Sequence, residues 1–229
     1  MAGRLLSLLA ERPRLIVSLP LNSPELAQAA AEGGADALKV HLHVRHEASG
    51  TEFGDLAQER PRLERILRLG LPTGVVAGAG DRLPTREEIA ELAAMGLDFF
   101  DLYGHDMPAW LVAFQGLTRG IAIDASWTPA QLAHYQALGF ELVEAAIVPH
   151  EGYGRPLTAA DLAAYRQVRE ATPLPIIVPT QRAIRPEEAP LLTVRCGINA
   201  LMIGVIVTGR EPEALRAVTS RFAQALLSD

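Results

Sequence analysis

The sequence predicts an α/β protein folded as one closed (β/α)8 TIM barrel, and three observations carry that expectation. Eight short apolar runs alternate with Ala- and Leu-rich amphipathic stretches from end to end, the pattern of repeated parallel βαβ units. Eight repeats in 229 residues fit a closed barrel, which a chain of this length can build as a single domain over 1–229. The first strand-to-helix turn, Ser18-Leu19-Pro20-Leu21-Asn22-Ser23-Pro24, has no glycine, which argues against a doubly wound nucleotide-binding sheet.

The elements follow in order. The opening MAGRLLSLLAERPR reads as a short leading helix, because Glu11 and Arg12 interrupt its apolar run before it reaches the length of a signal peptide or a membrane span. Strands are expected within 14–20, 36–44, 72–80, 97–103, 119–126, 140–149, 173–181 and 199–207. Helices are expected within 23–35, 55–70, 85–96, 107–116, 128–139, 158–171, 185–197 and 211–227. Ser23-Pro24-Glu25, Thr85 with Glu87 and Glu88, and Thr128-Pro129 are start signals, while Gly70, Gly96, Gly139 and Gly197 are stops.

Composition narrows the function classes. With 49% apolar and 21% charged residues the chain reads as a soluble globular protein, and a cytoplasmic location is the expectation. A net charge of −6 argues against a nucleic-acid partner, and no membrane segment is expected. Cys196 is the only cysteine, so neither a disulfide nor a thiolate metal cluster can form within the chain, and it reads as a buried bystander.

In such barrels the active site lies at the C-terminal strand ends. Five of the six histidines, His41, His43, His46, His105 and His150, fall at or just after the ends of strands two, four and six; His134 sits on a helix. Alternation along the second strand sends Lys39, His41 and His43 to the interior and Val40, Leu42 and Val44 to the helices. An interior lysine needs a partner, and Asp101, Asp124 and Glu144 at other strand ends are the candidates. The group is either a structural ion pair or a catalytic set with Lys39 as general base, electrophile or imine former. The His-x-His pair could also bite a divalent metal, but strands five, six and eight offer no matching histidine. His41 and His43 are therefore read as acid–base or substrate-contact groups; no cofactor is expected, and a divalent metal is the alternative.

The stretch ADALKVHLHVRHEASGTEFG resembles the second-strand region of ribulose-phosphate 3-epimerases, with Phe53-Gly54 matching the close of their loop. That match puts Lys39 where the family has a histidine and His41 where it has a metal-binding aspartate. PHEGYGRPLTAADL looks like the same family's glycine-rich mobile loop, and residues 175–209 are similar to the last two strands of ribulose-phosphate-binding barrels at large. That group includes N-acylmannosamine-6-phosphate epimerases, indole-glycerol-phosphate synthases and decarboxylating or aldol-type barrels. The departures are specific. IIVPTQR lacks the epimerase's metal-binding aspartate, Pro179-Thr180 stands where the acylmannosamine-phosphate epimerases have glutamate, and the usual strand-seven glycine turn is Thr180-Gln181-Arg182.

The resemblance implies a phosphorylated sugar or similar small anionic metabolite as substrate, with phosphate bound by Gln181, Arg182, Gly204 and Val205 after strands seven and eight. It implies isomerase or epimerase chemistry by proton transfer. A lysine-dependent aldolase or lyase, a metal-dependent barrel and a non-catalytic metabolite-binding barrel are the alternatives. Two polar, glycine-hinged loops, 45–55 and 150–157, are candidate lids, with His43, His150, Tyr153 and Arg155 as substrate contacts. His105 and Asp106 are weaker candidates, and Trp110 and Trp127 read as packing residues. A homo-oligomer is compatible with the helical shell, although no interface is legible.

Overall fold

The computed structural model describes residues 3–227, which form a closed barrel of eight parallel strands. The strands are β1 (Arg14–Ser18), β2 (Ala37–His41), β3 (Thr73–Val76), β4 (Phe99–Asp101), β5 (Thr118–Ile123), β6 (Leu142–Ala145), β7 (Ile176–Pro179) and β8 (Ala200–Ile203). They pair in chain order, and β8 closes on β1 with Arg14 opposite Ala200 and Val17 opposite Ile203. The helices are α1 (Arg4–Leu9), α2 (Pro24–Glu32), α3 (Leu56–Leu67), α4 (Arg86–Met95), α5 (Ala109–Val112), α6 (Pro129–Ala137), α7 (Ala159–Ala171), α8 (Val205–Thr208) and α9 (Pro212–Leu227). The expected fold class is the observed one.

Local chemistry starts the helices where the sequence signals them. The side chains of Ser23, Asp55, Thr85, Thr128 and Thr158 each accept a hydrogen bond from a backbone N–H of the first turn, and Thr85–Glu88 and Thr158–Asp161 are reciprocal capping boxes. Helix α3 runs through Pro61 at the cost of one backbone hydrogen bond, because Leu56, Leu63 and Ile66 are buried against the barrel. Two expected helices differ. The one over 107–116 shrinks to α5, a single turn between Pro108 and the left-handed Gly116. The one over 185–197 is a 3-10 turn, Pro186–Glu188, followed by one π-helical turn, Leu191–Arg195, since Pro190 has no N–H to give to the Pro186 carbonyl and continue an α ladder.

Inside the barrel, period-two alternation stacks an apolar level under a polar one. Ile16, Ala37, Phe99, Leu142, Ile177 and Ala200 form a cluster at the N-terminal end, closed by Leu5 and Leu9 of α1. Phe99 fits because Gly74 beside it has no side chain: a Cβ there would stand 2.1 Å from the Phe99 ring. Two residues further along the same strands come Ser18, Lys39, Asp101 and Glu144. Asp98 fixes the plug by accepting from the Arg4 and Leu5 N–H groups at 2.7 Å each, in place of a cap from α1's own sequence.

The expected alternation does not reach His43. After His41 the chain turns, with His43 at φ 55°, the one non-glycine residue in the left-handed region among those described. His43 points away from the interior and donates from Nε2 to Glu88 Oε1 at 2.9 Å. The loop beyond it folds back as a hairpin of Arg45–His46 with Thr51–Glu52. Among the described residues no helix is long and apolar enough to cross a membrane.

Candidate active site

The C-terminal strand ends enclose a cavity of about 330 Å³. Its floor is the polar level of the barrel: Ser18 from β1, Lys39 and His41 from β2, Asp101 from β4 and Glu144 from β6. Its walls come from the hairpin (His46, Glu47), from Tyr103, His105 and Asp106 after β4, from Tyr153, and from Thr180, Gln181 and Gly204–Ile206.

Lys39 is 2% exposed and Asp101 1% exposed, deep enough that their charges must be settled within the protein. The Lys39 ammonium pairs with Glu144 Oε2 and lies 2.9 Å from Asp101 Oδ1. Burial works to lower the Lys39 pKa, but the two carboxylates together raise it above the usual lysine value, so Lys39 stays an ammonium. Two carboxylates then face one cation and touch each other. Burial, reinforced by the Glu144 charge, raises Asp101 well above the carboxylate range. Burial opposes ionisation of Glu144 as well, yet the Lys39 charge and its hydrogen bonds hold that pKa below its ordinary value. The two carboxyl pKa values are thus pushed apart, with the proton favoured on Asp101 and the charge on Glu144, and Asp101 Oδ2 has no hydrogen-bond partner among the described residues.

Two imidazoles border this set. His41 is fully buried, stacks on Phe53 with ring centroids 4.7 Å apart, and meets His46 edge-on at 4.6 Å. Burial, the neighbouring His46 and the Lys39 charge lower its pKa well below that of a free imidazole. Burial and Lys39 bring His46 down to about 4, against a smaller opposing pull from Glu144. Both rings are neutral near pH 7.

Of the residues expected at the site, the fold thus brings Lys39, His41, Asp101, Glu144, Gln181, Gly204, Val205 and Tyr153 to one cavity. Gln181 spans two loops: its amide donates to the carbonyls of Ala146 and Val148 and to the Tyr153 hydroxyl, and its Oε1 accepts from Val148 N. The Gly204 N–H donates to Thr180 Oγ1 at 2.9 Å, and the N–H groups of Val205 and Ile206, at the start of α8, have no partner among the described residues. Four expected residues lie elsewhere besides His43. Asp124 turns outward and accepts from Ser126 N and Oγ, 3.7 Å from His105. Arg182 leaves the cavity to bind Asp161 at 2.8 Å and the Gly152 carbonyl at 2.9 Å. His150 and Arg155 are exposed and do not line it.

Ser18, His46, Tyr103 and Thr180 line the cavity without having been expected there. The Ser49-Gly50 pair, with Gly50 at φ 64°, is a hairpin-turn signal that would have folded His46 back over the barrel mouth. Trp110 and Trp127 pack against the core, and Cys196 is buried with its thiol on the Leu162 carbonyl, as expected. Among the described residues no group of three or more His, Cys, Asp or Glu side chains is arranged to hold a metal ion.

No protein-family model matches the sequence, and no curated protein matches it. Solved structures do. Tryptophan synthase from Mycobacterium tuberculosis is similar with a TM-score of 0.72 at 18% identity, over 99% of each chain. KGPDC from Streptococcus mutans, in a complex with a small phosphorylated ligand, gives 0.67 at 14% identity, over 94% of this chain and 97% of that one. N-acetylmannosamine-6-phosphate 2-epimerase from Clostridium perfringens gives 0.62 at 19% identity, over 99% of this chain and 98% of that one. The likeness is one of architecture: this chain shares the (β/α)8 barrel fold of these structures.

Proposed function

We propose that this chain is a proton-transfer enzyme, an isomerase or epimerase, acting on a small anionic metabolite such as a phosphorylated sugar. The observation that carries the reading is the floor itself: a buried lysine ammonium held between two carboxyl groups beneath an open cavity, in surroundings that push the Asp101 pKa up and the Glu144 pKa down. Environments that push two carboxyl pKa values apart assign an acid and a base.

In the proposed reaction Glu144 takes the proton from the carbon next to a substrate carbonyl, and the Lys39 ammonium stabilises the enolate oxygen. Asp101 then delivers its proton to the enolate, and the contact between the two carboxyls lets the proton return from Glu144 to Asp101. Lys39 serves as a fixed charge; as an ammonium it is not the nucleophile an imine requires. The unpartnered N–H groups of Val205 and Ile206 are suited to an anionic end group, which Arg182, tied to Asp161, does not reach. Two structural neighbours support the reading, an epimerase of an amino-sugar phosphate and a protein that holds a small phosphorylated ligand.

The test is deuterium wash-in, followed by proton NMR in deuterium oxide, with a panel of pentulose phosphates and amino-sugar phosphates. The expected result is incorporation at the carbon next to the carbonyl of at least one substrate, slowed about 10²–10⁴-fold by Asp101→Asn or Glu144→Gln. No incorporation from any member would overturn the reading. A Lys39 adduct trapped by borohydride would replace it with lyase chemistry.

A further inference from the structure

We infer that His46, carried over the barrel mouth by the hairpin after β2, is a catalytic hydrogen-bond donor that presents its Nε2–H to the substrate carbonyl oxygen. The inference rests on the proton-transfer reading and adds to it the group that works beside Lys39.

Geometry assigns the tautomer. The Ser49 backbone N–H lies 3.2 Å from His46 Nδ1, and a backbone amide can only donate, so Nδ1 is the acceptor and the proton sits on Nε2. Ser49 Oγ is 3.1 Å from the same nitrogen. Nε2 has no protein partner among the described residues, and the ring lines the cavity next to His41. The imidazole is therefore turned so that its one N–H is free for a ligand.

The flap that carries the ring is fastened on several sides. Arg82 donates to Glu52 Oε2 at 2.7 Å and to the Phe53 carbonyl at 2.9 Å. Thr51 Oγ1 donates to the Pro20 carbonyl at 2.9 Å, and the Arg210 guanidinium reaches the Ser49 carbonyl from the loop before α9. Ser49 itself is 7% exposed. A donor held this way needs little reorganisation when charge develops on a nearby oxygen, which is the condition for electrostatic catalysis.

Neutrality matters to the role. The groups facing the ring are Lys39, Glu144 and His41, and of these the ammonium disfavours a second positive charge. A neutral imidazole with pKa about 4 donates its N–H without delivering a proton outright, so the enolate is stabilised and not trapped as an enol. Ser49 is then a positioning residue, since it acts only through the His46 ring.

The test uses the full chain with imidazole-labelled histidine and phosphoglycolohydroxamate as an enolate mimic. Nitrogen-15 NMR should show His46 as the Nε2–H tautomer from pH 5.5 to 8, with its signal moving when the mimic is added. His46→Phe, which keeps an aromatic ring against His41, should weaken mimic binding and lower the wash-in kcat about 10²–10³-fold with KM changed less than about threefold. His46→Gln, which restores an N–H, should recover part of the loss. A Nδ1–H tautomer, a titration near the free-imidazole value, a His46 signal indifferent to the mimic, or His46→Phe with unchanged kcat would each overturn the inference. Wild-type protein that shows the tautomer and the mimic response but no wash-in with any substrate would sink the proton-transfer reading instead.

Discussion

The two ends of the barrel are built from the same strands and obey different physics. At the N-terminal end Leu5, Leu9, Ile16, Phe99, Leu142 and Ile177 interlock as a dry plug. Two residues along, the same strands present Ser18, Lys39, Asp101, Glu144 and Pro179 to a cavity. The plug gains stability from each buried side chain, whereas the polar level breaks even only when every charge has its partner. A barrel can keep an ionised floor because one end is over-stabilised and the other is held by electrostatic matching.

The largest expected effect tests that matching. Lys39→Met, which leaves Glu144 buried without its cation, should cost about 3–5 kcal/mol in urea unfolding. Lys39→Met combined with Glu144→Gln should recover much of it, because the orphan charge is gone. If the single variant is as stable as wild type, the floor is not locked by charge and the contrast between the ends fails.

Leu5→Ala at the plug should cost about 3 kcal/mol. Its wash-in rate per folded molecule should stay within about twofold of wild type. A large loss of rate in folded Leu5→Ala would show that the two ends are coupled, which the separation into two levels does not allow.

The pH dependence belongs to the cavity end. His46 has a folded pKa of about 4 against about 6.5 unfolded, and His41 is lowered in the same direction. Between those values the unfolded chain binds more protons, so stability is whole above about pH 6.5 and is lost as pH falls toward 4. His46 alone should account for up to about 3 kcal/mol of that loss. Asp101 works in the opposite sense, its contribution being lost as pH rises through its raised pKa. Urea unfolding at pH 7 and pH 4.5 should show the slope in wild type and in Leu5→Ala, and a flatter one in His46→Phe. An unchanged slope in His46→Phe would assign the titration elsewhere.

The smallest effect is at the edge of the plug. Asp98→Asn removes the charge that caps α1 and should cost about 1 kcal/mol, read as a lowered midpoint with an unchanged urea slope.

Much of this contrast is legible in the sequence. Val40 and Leu42 against Lys39 and His41 is a strict alternation, and it placed the lysine inside the barrel. Asp124 looked as good a partner as Asp101 because strand parity alone cannot say where a strand stops. It lies one residue past β5, where the chain has already turned and Ser126 claims the carboxylate. Arg182 looked like a free cation because Asp161, which binds it, starts a helix in a different repeat.

The sequence by itself determined the eight-fold repeat, the helix starts at Ser23, Thr85 and Thr128, and the inward face of the second strand as far as His41. These depend on near neighbours, through alternation, capping and missing N–H groups. Only the tertiary structure decided that Lys39 meets Glu144, 105 residues away, together with Asp101, and that His46 folds back over them. Those contacts depend on the tilt and register of a closed barrel and on the path of a hairpin fastened by Arg82 and Arg210. Both are properties of the whole ring of strands, which no local pattern contains.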